Sequence, residues 1–245
     1  MEATYDKIGK GYSVGRREDP RIASEIYQFL IGAESVLNIG AGAGSYEPLD
    51  LNVLAVEPSQ EMIKQRSKDA APVKQAFAES LPFEDGLFSH SMTVLSIHHW
   101  TNREAGFNEI KRVTKNRFVA VTWDPSSEPF WLTEAYFPEI HAIDKSIFPS
   151  LDELVTNFPG VKFYPLEIPA DCTDGFTAAH WARPHAYLDP LVRSGMSTFS
   201  KIHDIEPGLK RLSSDLECGL WDRKYGHLRC YDKLNVGYTI VVWDA

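Results

Sequence analysis

The chain has 245 residues, enough for one large domain or one domain with an insertion. Its 25 Lys and Arg against 34 Asp and Glu leave a net charge of −9 with no dense basic run, which argues against a nucleic-acid backbone as partner. A hydrophobic fraction of 43% beside 24% charged residues excludes a disordered chain or a fibre.

Asp19 and Pro20 open a helix as N-cap and first helical residue. Ile22, Ile26, Phe29 and Leu30 share one face of it, and Gly32 ends it. Ser35 to Ile39 reads as a short buried strand, followed at once by Gly40-Ala41-Gly42-Ala43-Gly44. Asn52 to Val56 reads as a second strand, and Ser59 caps a helix through about Arg66. Val73 to Phe77 and His90 to Ile97 supply a third and a fourth strand. Thr101 and Glu104 have capping-box spacing for a helix carrying Phe107, Ile110 and Val113. Phe118 to Trp123 is apolar enough to be a central fifth strand. Strands alternating with helices imply right-handed crossovers and a parallel sheet.

From about residue 126 to 226 the chain turns aromatic-rich and helical. Ser150 and Glu153 form a second capping box, and Leu209, Leu212, Leu216 and Leu220 mark one helix by their spacing. Val161 to Ile168 and Val236 to Trp243 read as late strands added to the same sheet. The expected organisation is one unit over 1–245: a core over 1–125, helical cap insertions near 126–150 and 170–230, and late strands near 161–168 and 236–243.

Glycines directly after a first strand let the backbone turn sharply and approach a ligand, and amides at the start of a following helix can hold an anion. Alone, the cluster is equally a flexible turn. Glu57 adds to it: it ends the second strand, 17 residues after Gly40, where a carboxylate can accept both hydroxyls of a ribose. Strand, glycine loop, helix, strand and acid in this order form a nucleoside-binding arrangement. A dinucleotide fingerprint has Gly-x-Gly-x-x-Gly, whereas position 45 is Ser and the spacing is Gly-x-Gly-x-Gly. Such a loop suits an amino-acid tail better than a pyrophosphate, which counts against the alternative of an NAD(P)-dependent oxidoreductase.

The stretch Val36 to Gly44 resembles the first motif of the class I S-adenosylmethionine-dependent methyltransferases, specifically their small-molecule type 11 group, and Leu54-Ala55-Val56-Glu57-Pro58-Ser59 resembles the second. Ala78 to Phe88 is similar to the family's adenine-side segment, Ile97-His98-His99-Trp100 to the segment after the fourth strand, and Glu109 to Val113 to the helix that follows. The likeness covers about residues 5–125, and five motifs in order make it specific. Asn38 and Phe77 stand where the family often has Asp, and Lys115-Asn116-Arg117 replaces the usual Pro-Gly-Gly turn. No Asn-Pro-Pro-Tyr follows the fourth strand, so the amino-methylating DNA and protein enzymes fit badly. In the cap, Asp174-Gly175-Phe176, Trp181 to Pro184, Tyr187 to Pro190 and Gly219 to Gly226 resemble a bacterial subgroup of these enzymes.

The resemblance implies a Rossmann-like, doubly wound α/β fold whose seven-stranded sheet is mostly parallel. It implies methyl transfer to a small-molecule acceptor by in-line displacement, with S-adenosylmethionine as cofactor and S-adenosylhomocysteine as product. The cofactor residues it implies are Tyr12, Arg16, Asn38, Gly40, Ala41, Gly42, Glu57, Pro58, Phe77, Ala78, Glu79 and Leu95. Among them Glu57 is the ribose acid, stacking and the Ala78 backbone hold adenine, and Arg16 either pairs with the methionine carboxylate or belongs to a mobile charged terminus. A strand-end carboxylate such as Glu57 is expected to be solvated when the site is empty.

On the substrate side, Tyr5 belongs to the N-terminal segment. His98 and His99 lie at the carboxyl end of the fourth strand, where such sheets bind ligands. His98 is the candidate general base and His99 a candidate substrate contact; alternatively His98 only packs over the adenosine or bonds a loop. Trp123 and Asp124 end the fifth strand at the same rim. Trp181, Arg183 and Tyr187 in the cap either hold a flat acceptor and exclude water or are core. Because every nucleoside motif precedes residue 125, the cap is expected to be separable from cofactor binding. An open aromatic cleft beside the cofactor site would favour an enzyme; a cap collapsed onto it would favour a nucleoside-binding protein without catalysis.

No stretch approaches 18 apolar residues, and Met1 to Lys7 lacks the apolar core of a signal peptide. Cys172, Cys218 and Cys230 are odd in number and far apart, with no Cys-x-x-Cys pair. The expectations are no membrane, no metal, no nucleic acid, a cytoplasmic monomer or homodimer, and buried inert thiols, with arsenite binding as the alternative.

Overall fold

The structure, a computed structural model, describes residues 15–245. Helix α1 (Pro20–Tyr27) starts as its sequence dictates, with the Asp19 side chain accepting the Arg21 amide and Ile22, Ala23 and Ile26 buried. Seven strands form the main sheet: β1 (Val36–Ile39), β2 (Val53–Val56), β3 (Val73–Lys74), β4 (Phe88–Val94), β5 (Thr114–Trp123), β6 (Lys162–Pro165) and, last in the chain, β9 (Tyr238–Asp244). A separate two-stranded sheet pairs β7 (Ile168–Pro169) with β8 (Lys233–Leu234). The main order is β3-β2-β1-β4-β5-β9-β6, with the first five strands parallel and β9 antiparallel to both neighbours. This is the doubly wound, mostly parallel sheet expected.

The strands differ from expectation in instructive ways. β3 stops at Lys74 rather than Phe77 because its only neighbour, β2, ends opposite it at Val56. β4 ends at Val94, since Leu95 adopts φ +49 and Ile97–His99 forms a short helical turn. β5 begins at Thr114, directly from the preceding helix, and a bulge between Phe88 and His90 takes up the register. A strand starting there needs no Pro-Gly-Gly turn. The segment expected as one strand over Val161 to Ile168 divides between two sheets, with the Leu166 amide still bonded to the Tyr238 carbonyl.

Helix α2 (Gln60–Lys64) is capped by Ser59, which accepts the Met62 amide at 3.2 Å. Helix α3 (Arg103–Val113) is capped by Asn102, not Thr101: the Asn102 side chain accepts the Ala105 amide, while Thr101 turns its amide and hydroxyl to Glu79. Downstream lie α4 (Pro138–Ile147), α5 (Leu151–Asn157), α6 (Pro190–Ser194), α7 (Glu206–Glu217) and α8 (Leu220–Tyr225), with a π-helical turn at Leu132–Tyr136. Ser150 caps α5 as expected. Leu209, Leu212 and Leu216 lie on α7, but Gly219 at φ +72 breaks the run and Leu220 starts α8.

Residue alternation along the central strands divides the core between the sheet faces. Val36, Met92, Val119 and Val121 pack towards α1, whereas Leu37, Ile39, Phe118 and Ala120 pack towards α3 and α5. A third apolar cluster, including Trp131, Phe137, Leu212 and Trp221, holds the cap together. Among the described residues no helix is long and apolar enough to cross a membrane.

Candidate active site

Strand order reverses at β1, between β2 on one side and β4 on the other, and such reversals open a crevice at the carboxyl ends of the strands. The loop after β1 turns into this crevice. Gly40 has φ +69, and a Cβ on it would sit 1.8 Å from Ser96 Oγ, so only glycine fits. The amides of Gly40 and Ala41 both donate to the Val56 carbonyl, at 2.8 and 3.0 Å. The Gly42 amide donates to Glu57 Oε2 at 2.8 Å, and the Ser59 amide to Glu57 Oε1 at 2.8 Å. Glu57 is only 5% exposed. It is therefore no solvated strand end: it joins the glycine loop to the turn that starts α2.

No helix follows the glycine loop, contrary to expectation. Between β1 and β2 the described chain forms only turns and irregular structure. A pyrophosphate site of the dinucleotide kind uses free amides at a helix N-terminus. Here that helix is missing and the loop's first three amides already donate within the protein.

One member of the loop's support carries no motif. Glu47, buried, pairs with Arg66 at 2.8 Å and accepts the Ala71 amide at 2.9 Å and Asn38 Nδ2 at 3.1 Å. Arg66 also donates to the Gly42 carbonyl at 3.2 Å. The presence of Asn38 where relatives often have Asp now has a physical reason: a carboxylate there would face the carboxylate of Glu47 in a buried site.

The crevice measures about 1070 Å³ including its mouth. Asn38, Gly40, Ala41, Gly42 and Glu57 border one part of it, and Pro58, Phe77, Ala78, Glu79 and Leu95 another. Arg16 borders it too, while Tyr5 and Tyr12 lie outside the described residues. The contents suit a nucleoside attached to a polar tail: a carboxylate fixed at a strand end, apolar Phe77 and Ala78 for a flat base, and a glycine turn that allows close approach. Glu79 Oε1 accepts the Thr101 amide and hydroxyl at 2.8 and 2.9 Å, which fixes the turn at the crevice edge.

A second cleft, of about 700 Å³ including its mouth, adjoins the first and shares Arg16 and Leu95 with it. Trp123, Phe130, Phe148, Phe176 and Tyr238 form its aromatic walls. Trp123 is held by an Nε1 bond to the Val236 carbonyl at 3.0 Å. Thr133, His141, Asp144 and Thr198 supply polar groups, with exposed Glu128 at the rim. Of these residues sequence reasoning found only Trp123. The others come from separate cap segments and late strands with no common motif.

His98 borders the second cleft and His99 the first. Their rings lie 3.9 Å apart, and His98 stacks on Phe148 at 4.1 Å. Burial depresses both imidazoles, His99 to about 3 and His98 well below its ordinary value. Both are neutral near pH 7, and the same burial that disfavours the imidazolium makes His98 a weak general base. Its buried Nδ1 has no hydrogen-bond partner among the described residues, so it remains a hydrogen-bonding group beside the cleft.

The cap candidates are core, not pocket. Trp181 is fully buried, donates from Nε1 to the Ile168 carbonyl and accepts Trp131 Nε1 on its own carbonyl, both at 2.8 Å. Tyr187 is fully buried with its hydroxyl on the Thr177 carbonyl at 2.8 Å. Arg183 donates to the carbonyls of Cys172 and Ala179. None of the three borders either cleft. Asp124 folds back onto Ser126.

The cap is also not separable from the cofactor crevice. Arg16 donates to Asp174 through Nε at 2.6 Å and Nη2 at 3.3 Å. Asp174, 1% exposed, also accepts the Tyr46 hydroxyl at 2.9 Å and the Gly175 amide at 2.7 Å. The carboxylate that the structure gives Arg16 is thus one from the cap. Of the thiols only Cys172 is buried, with burial pushing it up to about 12; Cys218 and Cys230 are exposed. Among the described residues no three His, Cys, Asp or Glu side chains cluster as metal ligands.

Residues 37–120 match the family model of a methyltransferase domain. A solved structure from Anabaena variabilis, described as a methyltransferase from an antibiotic biosynthesis pathway, is 31% identical with a TM-score of 0.87 over 94% of this chain and 98% of its own. An S-adenosylmethionine-dependent methyltransferase of Thermotoga maritima shares the fold at 15% identity, with a TM-score of 0.57 over 98% and 97% of the two chains. An uncharacterized methyltransferase of Bacillus subtilis is 28% identical over 123 residues, 46% of this chain and 45% of its own. The match thus spans about half the length of the curated relatives. The matched segment carries the glycine loop, Glu57 and the adenine-side wall, and the Anabaena likeness extends through the cap: the chain belongs to the class I S-adenosylmethionine-dependent methyltransferases.

Proposed function

We propose that the first cleft holds S-adenosylmethionine, that the second holds a small-molecule acceptor, and that the two meet at Leu95 and Arg16. The single observation behind this reading is that two clefts on the carboxyl side of the sheet share those two residues. The open aromatic cleft is also the feature that separates an enzyme from a nucleoside-binding protein of the same fold.

When bound, the cofactor supplies a methyl group already activated by a sulfonium. The protein's task is then to bind, orient and exclude water. In this reading Glu57 accepts from the ribose hydroxyls, and Phe77 and Ala78 flank the adenine. Gly40 lets the tail lie close to the backbone. Arg16, its guanidinium fixed by Asp174, closes the amino-acid end. Leu95, at φ +49, turns the end of β4 so that one side chain borders both clefts. Clefts meeting end to end suit in-line displacement, in which the acceptor approaches opposite the leaving sulfur. His98 contributes a neutral hydrogen-bonding nitrogen. The chain acts as one unit, core and cap together, as a cytoplasmic monomer or homodimer on an acceptor that is neither nucleic acid nor membrane.

The test has two arms. S-adenosylhomocysteine should raise the melting temperature and NAD should not. Ser197→Trp, which plugs the second cleft from a half-buried position, should keep that shift and abolish methyl transfer in a metabolite screen with labelled cofactor. A shift with NAD alone, or full turnover in Ser197→Trp, overturns the reading.

A further inference from the structure

Resting on the reading of the second cleft as the acceptor site, we infer that the acceptor is an organic cation, a flat apolar body whose protonated amino group sits on Asp144. The charge inventory of the cleft is the first argument. Among the described residues Arg16 is its only always-cationic lining side chain, and Asp174 neutralises it within the protein. Asp144 and Glu128 remain, and neither has an ion pair among the described residues. His98 and His141 do not offset them, because burial disfavours the protonated form of each. Lys201 acts on Asp144 only at longer range. Among the described residues the cleft therefore carries an acidic excess that a cation would balance.

The second argument is geometric. Thr198 Oγ1 donates to Asp144 Oδ1 at 2.9 Å, while Asp144 Oδ2 has no hydrogen bond among the described residues. An ammonium is a donor with no acceptor capacity, which matches an oxygen in that state. His98 Nδ1, buried and unpartnered, is a second group on the same cleft that such a donor could satisfy. A carboxylate or phosphate would satisfy neither carboxylate and would face both.

The walls supply the third argument. Trp123, Phe148, Phe176 and Tyr238 line the same cleft as the acidic group. Aromatic faces attract cations and accept flat apolar bodies, and they offer nothing to an anion. Burial also pushes the Asp144 carboxyl up to about 6, so an empty site holds this charge at a cost to the fold. Unpaired carboxylates kept in clefts at such a cost are characteristic of functional sites.

The experiment uses three indoles of similar shape: tryptamine (cationic), 3-ethylindole (neutral) and indole-3-propionate (anionic). Each is titrated calorimetrically at pH 8 into the full chain saturated with S-adenosylhomocysteine, as wild type, Asp144→Asn and Thr198→Val. Wild type should bind tryptamine about tenfold or more tightly than 3-ethylindole, with the propionate weakest. Asp144→Asn should erase this preference while keeping the thermal shift with S-adenosylhomocysteine, which shows that it folds. Thr198→Val, which leaves the carboxylate in place, should keep the order. Equal or tighter binding of the neutral or anionic probe overturns the inference and leaves the acceptor-site reading standing. A preference that survives in Asp144→Asn overturns it as well. If no probe binds, or if all bind equally well to Ser197→Trp, the acceptor-site reading falls and takes this inference with it.

Discussion

The carboxylate of Glu57 accepts the amide of Gly42 at 2.8 Å, so the acid that ends β2 fixes the glycine loop that follows β1. The two motifs most diagnostic of the family are thereby one mechanical unit. Glu57→Ala should weaken S-adenosylhomocysteine binding about 30- to 1000-fold, equivalent to about 2–4 kcal/mol. It should also destabilise the ligand-free protein by about 1–3 kcal/mol, because it leaves the Gly42 and Ser59 amides without their acceptor. Glu57→Gln, with one acceptor oxygen left, should fall between in both. Calorimetric titration and urea unfolding without ligand measure the two effects separately. Unchanged stability in Glu57→Ala would mean that the Val56 carbonyl and Arg66 suffice to hold the loop.

Asn38 is a donor in a place where the family often has an acceptor. Its Nδ2 points at Glu47, already paired with Arg66. Restoring the family's usual residue with Asn38→Asp should therefore harm this protein. It places two buried carboxylates against each other with one guanidinium to share, at a cost of about 2–4 kcal/mol at pH 8. The penalty should shrink towards pH 4, where the introduced aspartate can take a proton. Urea unfolding of both proteins at the two pH values gives the comparison; a variant as stable as wild type at pH 8 would sink the account.

What could be read from the sequence was what short-range pattern encodes. β1, β2 and the Ser59 and Ser150 caps followed from local periodicity and capping chemistry, and Glu57 from its distance to Gly40. The missing helix after the glycine loop also had a signal, since residues 45–52 contain Pro48 and no helical apolar stripe. The second cleft had none. Asp144 and Phe148 share the end of α4, but Thr198 and Tyr238 come from distant segments and join them only through tertiary packing. Trp181 and Tyr187 misled for the complementary reason: clustered aromatics look the same in sequence whether they line a pocket or fill a core. Arg16 and Asp174 lie 158 residues apart, and no local pattern foretells their pair.

The neighbouring rings of His98 and His99 make the fold acid-sensitive. In the unfolded chain an imidazole takes up a proton below its ordinary value near 6.5; in the folded protein burial prevents this, down to about 3 for His99. Their contribution is fully present above pH 6.5 and is lost as pH falls from there towards 3. Within that window His99 should lower unfolding free energy by about 1.4 kcal/mol per pH unit, and His98 acts in the same direction. Urea unfolding at pH 7, 6 and 5 should show a shallower slope for His99→Gln than for wild type, whatever the variant's absolute stability. Parallel slopes would show that His99 takes up its proton as readily in the folded state as in the unfolded chain.

Asp144 should have the opposite pH signature. Burial raises its carboxyl from 3.8 to about 6, so between these values the folded protein holds a proton that the unfolded chain has released. Its contribution is therefore fully present below about pH 4 and lost as pH rises through 6; above that, the ionised group costs the fold about 1–3 kcal/mol. Asp144→Asn removes the ionisation and retains an oxygen for the Thr198 hydroxyl. The variant should be more stable than wild type by that amount at pH 8 and equal to it near pH 4. Methyl transfer should move the other way, falling at pH 8 as the fold gains stability, because the charge that strains the empty cleft is the one that receives the acceptor. Denaturant melts at both pH values, run beside turnover assays, decide the matter. Equal stability at pH 8 would mean that water solvates the carboxylate, and unchanged turnover would mean that the acceptor does not touch it.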